Sequence, residues 1–362
     1  MKRIYFDHCS TSPIHLNIQN KMAKIMKMPL NPSSIHIEGR NARNVVDLAR
    51  EYIKKKLFLG NNYQLIFVSS CTEANNLVIR NFSHYKKICS NIDHQSIRNL
   101  NNDILISISV NGVIDLESFK ELTKNNEKFL ILTTYVNNEI GTIQPINQIK
   151  KLLKKKSSIF HCDITQAIGK IDINVQNIDF ITLGCHKFGG PHGIGCLIYK
   201  KKFQINPIIV GGGQEYGMRS GTQNVIGING FYHSFCMIEE IKNKFLFLKE
   251  MRNQIESEIL AFTDKVNIIA INSCRLSNVS YIFMPNVNAE TQVIFFDLNG
   301  IAVSSGSACS SGKSSKLPLL KSMGIRSEVL NHCLRVSLGP KNSFKEINRF
   351  IKLWKTLYIA NH

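Results

Sequence analysis

Short apolar runs alternate with longer stretches of helical period along most of this chain, and that alternation restricts its fold more than any other feature. Runs at 65–68, 87–90, 129–136, 159–163, 180–183, 195–199 and 207–210 read as strands. Helical period covers 40–57, 73–82, 149–155 and a long stretch at about 225–260. Apolar strands separated by helices imply an α/β architecture with a largely parallel sheet. From about residue 243 the pattern changes. Apolar segments at 279–284 and 291–298 lead into a Ser/Gly-rich loop at 304–315 and a closing helix near 345–358. The expected organisation is a large, mostly parallel sheet domain over 15–242 and a smaller α+β domain built from 1–14 plus 243–362.

At 362 residues the chain has ample material for such a core. Its 45 Lys and Arg against 26 Asp and Glu give a formal charge of +19. The excess is mostly lysine in short runs such as Lys54-Lys55-Lys56, Lys154-Lys155-Lys156 and Lys200-Lys201-Lys202, without interleaved aromatics. Such runs read as solvated surface, so direct nucleic-acid binding is not expected. None of the ten cysteines forms a CxxC pair, which suggests neither a metal knuckle nor a disulfide framework. No apolar run has the length of a signal-peptide core or a membrane span, and the expected setting is cytoplasmic with reduced thiols.

The chemistry collects where strands end. Cys185-His186-Lys187 follows the run at 180–183 and precedes a glycine-rich loop, Gly189-Gly190-Pro191-His192-Gly193. A lysine in a partly desolvated pocket has a lowered pKa and forms Schiff bases. Asp163 closes the run at 159–163, on the ligand side of a parallel sheet, where a carboxylate can keep a pyridinium nitrogen protonated. Cys71-Thr72-Glu73 opens a helix after a strand, a place suited to a phosphate. His94 can stack on a flat cofactor, and 136–141 offers amide donors at the same edge. Cys309, in a Ser/Gly loop with little to pack against, reads as a reactive thiol, and Arg335 as a carboxylate clamp. Taken singly, each residue has a plainer reading: surface lysine, helix cap, polar surface histidine, surface ion pair.

Taken together, the segments resemble the cysteine desulfurases of the NifS/IscS type, among the class V, fold-type I pyridoxal-phosphate enzymes. The likeness runs nearly end to end. It includes Phe6-Asp-His-Cys-Ser-Thr-Ser-Pro13, Asn31-Pro-Ser-Ser-Ile-His36, Asn137-Asn-Glu-Ile-Gly141, Asp163-Ile-Thr-Gln166, 211–222 and Ser304-Ser-Gly-Ser-Ala-Cys309. The resemblance implies a fold-type I PLP-dependent transferase that converts L-cysteine to L-alanine. Lys187 would carry the cofactor, Asp163 meet its ring nitrogen, His94 stack on the ring, and Gln166 and Asn138 contact ring substituents. Cys71, Thr72, Gly184 and His186 would surround the phosphate, with Thr222 reaching in from the second subunit of a homodimer. Arg335 and Asn31 would hold the substrate carboxylate, and Cys309 would take the sulfur as a persulfide for an acceptor protein.

Three departures from the family pattern stand out. Gly184 and Cys185 occupy positions where many relatives carry Ser and Gly, and Cys71 replaces a small residue. After Cys309, Ser315-Lys316-Leu317 stands where Glu-Pro-Ser is usual. The resemblance lacks the longer C-terminal segment of IscS-type relatives, so an iron–sulfur scaffold and a tRNA-thiolation enzyme are equally open as acceptors. The alternative activities are selenocysteine lyase or another class V lyase or aminotransferase, and a non-catalytic paralogue stands behind both.

Overall fold

The computed structural model describes residues 3–98, 103–125, 127–153, 157–306 and 318–362. Its strands are β1 (Ile4–Tyr5), β2 (Tyr63–Val68), β3 (Lys86–Ser90), β4 (Asp103–Ile106), β5 (Phe129–Thr134), β6 (Ile159–Asp163), β7 (Phe180–Gly184), β8 (Gly195–Lys200), β9 (Asn267–Ile268), β10 (Val279–Phe283), β11 (Ile301–Ala302) and β12 (Cys333–Ser337). Seven of them form one sheet in the order β2-β8-β7-β6-β5-β3-β4. All its pairings are parallel except those of β8, which runs antiparallel to β2 and β7.

Every residue of β5, β6 and β7 is buried, so both faces of the sheet need cover. Successive strand residues point to opposite faces. On one face Leu65, Phe67, Ile131, Ile181 and Ile198 pack with helices Ile37–Lys56 and Val225–Cys236. On the other, Ile66, Leu130, Leu132, Phe180 and Leu197 meet Ala74, Leu77 and Val78 of helix Cys71–Asn81. Because β2, β3, β5, β6 and β7 run the same way, the loops after Val68, Ser90, Thr134, Asp163 and Gly184 open along one edge. The strand order reverses between β3 and β5, where open α/β sheets bind ligands.

The last third builds an antiparallel sheet with β10 between β12 and β9. The N-terminal strand joins it: β1 pairs with β11, and Asp7 bridges Ser337. This places Asp7 and Cys9 beside Arg335 of β12.

Two elements differ from their sequence-based expectation. Residues 207–210 form no strand, and Val210 is 79% exposed. Both edges of the preceding strand β8 are already taken by β2 and β7, so this run has no ladder to join. The long helix expected at 225–260 is two, Val225–Cys236 and Ile238–Phe262, with Met237 in non-helical geometry between them. No Gly or Pro marks that break in the sequence.

Two buried histidines make stability depend on pH. Burial lowers His8 to about 3 and His161 to about 4. His8 Nδ1 lies 2.9 Å from Ser12 Oγ, and His161 Nε2 lies 3.0 Å from Thr182 Oγ1. Below about pH 6.5 the unfolded chain takes up protons at both residues while the folded chain does not. The stability these neutral rings confer is therefore complete above pH 6.5. It falls with acidification by about 1.4 kcal/mol per pH unit for each ring, until the folded groups themselves titrate. Urea midpoints measured from pH 7.5 to 4.5 are expected to fall, with the fall reduced in His161→Gln.

Candidate active site

A cavity of about 480 Å³ opens at the shared edge of the sheet, walled by all the loops named above and by Gly306 and Arg335 from the C-terminal third. That is the volume class of a site for a small-molecule cofactor.

Asp163, at the end of β6, is buried in its floor. One carboxylate oxygen accepts from Thr165 N at 2.9 Å and the other from Asn75 Nδ2 at 3.1 Å. Among the described residues no cation lies at ion-pair distance from it, so this buried carboxyl faces the cavity with only neutral donors. Asn75 Nδ2 also donates to Ser96 Oγ at 2.9 Å, and Ser96 Oγ lies 2.8 Å from His94 Nδ1. Ser96 N also donates to Nδ1, which leaves the proton of the neutral ring on Nε2. Burial, then Lys187, lowers the His94 pKa and keeps the ring uncharged at neutral pH. The loop carrying it is pinned by Asp93, which accepts from Ser90 N at 2.8 Å and from Thr134 N at 2.6 Å.

Across the cavity, Lys187 is half-buried, and its Nζ has no hydrogen-bond or ion-pair partner among the described residues. Ser12 Oγ holds the backbone of this loop at Lys187 O (3.1 Å). His186 beside it is pushed down to about 3, by burial and then by Lys187, so it too is neutral. Helix Cys71–Asn81 points its N-terminus at the cavity. Ser70 caps it by accepting from Glu73 N at 3.2 Å, and the amides of Cys71 and Thr72 have no acceptor within the helix. Thr72 lines the cavity.

Arg335 is 2% exposed. Its Nη1 donates to Asn138 O (2.7 Å) and Gly306 O (3.1 Å), and its Nη2 to Asp7 Oδ1 (2.7 Å). Nε is buried and has no hydrogen-bond partner among the described residues. Arg98, on the same wall, has its Nε in the same state. Glu139 Oε2 is another buried atom there without a partner among the described residues, and burial raises that carboxyl's pKa against the pull of Arg335 and Arg98.

The family model "Aminotransferase class-V" matches residues 4–350. The chain belongs to the class-V aminotransferase family. Over 374 residues it is 33% identical to the cysteine desulfurase IscS of Buchnera aphidicola subsp. Acyrthosiphon pisum, spanning 97% of this chain and 91% of that protein. The X-ray structure of a NifS-like protein from Rickettsia africae superposes with a TM-score of 0.91 at 36% identity, covering 98% of this chain and 99% of that one. A structure described as SspA in complex with cysteine matches with a TM-score of 0.78 at 26% identity, covering 94% of this chain and all of the other. The resemblance to the NifS/IscS-type cysteine desulfurases and the α/β fold expected from the sequence are thereby established.

In this class-V protein one cavity brings together Cys71, Thr72, His94, Asn138, Asp163, Gln166, His186, Lys187 and Arg335. Gly184 lies just behind the wall, against Cys71. Asn31 and Thr222 are exposed and do not line this chain's own cavity. Cys309 lies outside the described residues. Sequence reasoning missed Asp7 as the partner of Arg335, Asn75 and Ser96 behind Asp163 and His94, and Cys9 and Glu139 in the wall. The Asn137-Asn-Glu-Ile-Gly141 motif held the only signal for Glu139.

The departure at Gly184 has a steric cause. A Cβ there would sit 2.8 Å from Cys71 Sγ, so the thiol fills the space a side chain at 184 would need. Thr165 Oγ1 donates to that sulfur at 3.1 Å, and burial, then Asp163, pushes the thiol up to about 12. Gly184→Ser is expected to destabilise the fold by about 1–3 kcal/mol through overpacking. Adding Cys71→Ala should recover most of the loss, as read from urea midpoints of the single and double variants.

Proposed function

We propose that this protein is a pyridoxal-phosphate-dependent cysteine desulfurase that converts L-cysteine to L-alanine and passes the sulfur on as a persulfide. One observation carries the reading: a carboxyl buried without an ion-pair partner and a lysine amine without a partner, both among the described residues, share one cavity with Arg335. Those residues suit the cofactor. Asp163 matches a protonated ring nitrogen, the neutral His94 ring suits stacking, and the amides and hydroxyl at Cys71 and Thr72, with His186, suit the phosphate. Pyridoxal phosphate bound there supplies an electron sink that allows a substrate Cα–H bond to ionise.

The chain's own groups divide the remaining work. Arg335 orients L-cysteine by its carboxylate through the Nε edge, while Asp7, Asn138 O and Gly306 O hold the guanidinium in place. Lys187 would hold the cofactor through its amine, and that amine, once free, would take the Cα proton and return one to carbon. Cys309 attacks the substrate sulfur as a thiolate. A sulfur–sulfur bond forms, the Cβ–S bond breaks with its electron pair left on carbon, and protonation there completes alanine. Thr222, exposed on the single chain, is assigned to the other subunit's phosphate across a homodimer, and Asn31, also exposed, to the substrate carboxylate with Arg335. Residues 15–242 are assigned to the cofactor-binding domain and 1–14 plus 243–362 to the smaller one. An iron–sulfur scaffold or a tRNA-thiolation enzyme is the acceptor. The setting we assign is cytoplasmic; no described helix is long and apolar enough to cross a membrane.

Reconstitution tests this reading. Purified protein given pyridoxal phosphate should develop a visible absorption band, and borohydride reduction followed by peptide mapping should place the cofactor's mass on Lys187. Protein that stays colourless, or a label on another lysine, contradicts it.

A further inference from the structure

Lys170 lies behind the cavity wall and is 1% exposed. Its Nζ donates to Gln166 Oε1 at 2.8 Å and sits 5.5 Å from the centroid of the Phe245 ring. Among the described residues no carboxylate pairs with it. The titratable groups facing it are the Cys9 thiol, Lys187, Arg335, and the rings of His8 and His186. Burial lowers the ammonium to about 8. Burying a cation whose partner is a neutral amide is costly, and a fold that keeps one needs a reason.

Gln166 provides it. An ammonium cannot accept a hydrogen bond, so the atom facing Lys170 is the amide oxygen. The same amide donates through Nε2 to Cys9 O at 2.8 Å, which uses one of its two N–H groups. Gln166 lines the cavity, so the second N–H is the group it can offer to a ligand. A charge-assisted bond to the oxygen polarises the amide and makes that N–H a stronger donor.

We propose that Lys170 is a positioning residue: it fixes and polarises the Gln166 amide so that the free N–H is presented to an anionic oxygen on the cofactor's ring. This rests on the pyridoxal-phosphate reading above. Weakening that donor makes the ring oxygen more basic, so the proton shared between the oxygen and the lysine-linked nitrogen is held more tightly.

The test is a pH titration of the visible band of the holoenzyme in wild type, Lys170→Met, Gln166→Met and the double variant. The midpoint should rise by about one pH unit in Lys170→Met. The double variant should match Gln166→Met, because Lys170 acts through the amide. Lys170→Gln, which keeps a donor near Oε1 without the charge, should lie between wild type and Lys170→Met. It stands in if the Met variant is insoluble, and a wild-type midpoint in it then overturns the proposal. An unmoved midpoint in Lys170→Met also overturns it, as does the full Lys170→Met shift persisting on top of Gln166→Met. A wild type that takes up no cofactor instead contradicts the cofactor reading itself.

Discussion

Lys187→Ala is expected to lower alanine formation from L-cysteine by at least about 10³-fold, the range lost with a positioned acid–base group. Two proposed roles disappear together, anchoring the cofactor and carrying the Cα proton. The fold should be unaffected. The Lys187 side chain is half-buried and its Nζ makes no hydrogen bond or ion pair among the described residues, so removing it leaves no buried group unsatisfied. The melting temperature should therefore stay within a few degrees of wild type while turnover vanishes. High concentrations of a small primary amine should restore a fraction of the rate by supplying the missing base. Alanine formed at the wild-type rate by this variant would remove Lys187 from the chemistry.

Arg335→Leu is expected to fail differently, losing both substrate and stability. The guanidinium holds Asp7 Oδ1 at 2.7 Å and the carbonyls of Asn138 and Gly306. Its removal leaves Asp7 Oδ1 and two carbonyl oxygens without this donor, while Asp7 Oδ2 keeps Ser10 Oγ. Breaking one side of a buried pair costs about 3–5 kcal/mol, so the urea midpoint should drop markedly. Gly306, whose carbonyl Arg335 also holds, has φ +99°, and a Cβ there would meet Tyr281 Oη at 2.7 Å, so this position accepts only glycine. Loss of the carboxylate contact should lower kcat/KM by about 10³-fold. Arg335→Lys separates the two effects. It keeps the charge near Asp7 but cannot reach three acceptors and a substrate from one ammonium, so stability should partly recover while kcat/KM stays low. Equal recovery of both would make Arg335 a structural residue only.

How much of this was legible in the sequence depended on distance along the chain. Asp163 and Lys187 could be read because each follows a buried apolar strand, which fixes the edge it ends on. Thr72 could be read because a helix N-terminus follows a strand. Asp7, Cys9, Glu139 and Arg335 come together through loops and through the pairing of β1 with β11, which no local pattern encodes. The misread strand at 207–210 and the unmarked break at Met237 share a cause. Apolar content and period describe a segment's own preference, while its fate was set by whether β8 had a free edge and how two helices packed. Gly184 looked like a lost donor in the sequence, and only the position of Cys71 Sγ shows why a side chain has no room there.

The most direct measurement is the product balance of the holoenzyme with L-cysteine and a reductant. Alanine and sulfide in equal molar amounts, both lost in Cys309→Ser and Lys187→Ala, are the expected result. A holoenzyme that binds cofactor but releases pyruvate and ammonia, or yields alanine without sulfide, would contradict the desulfurase assignment.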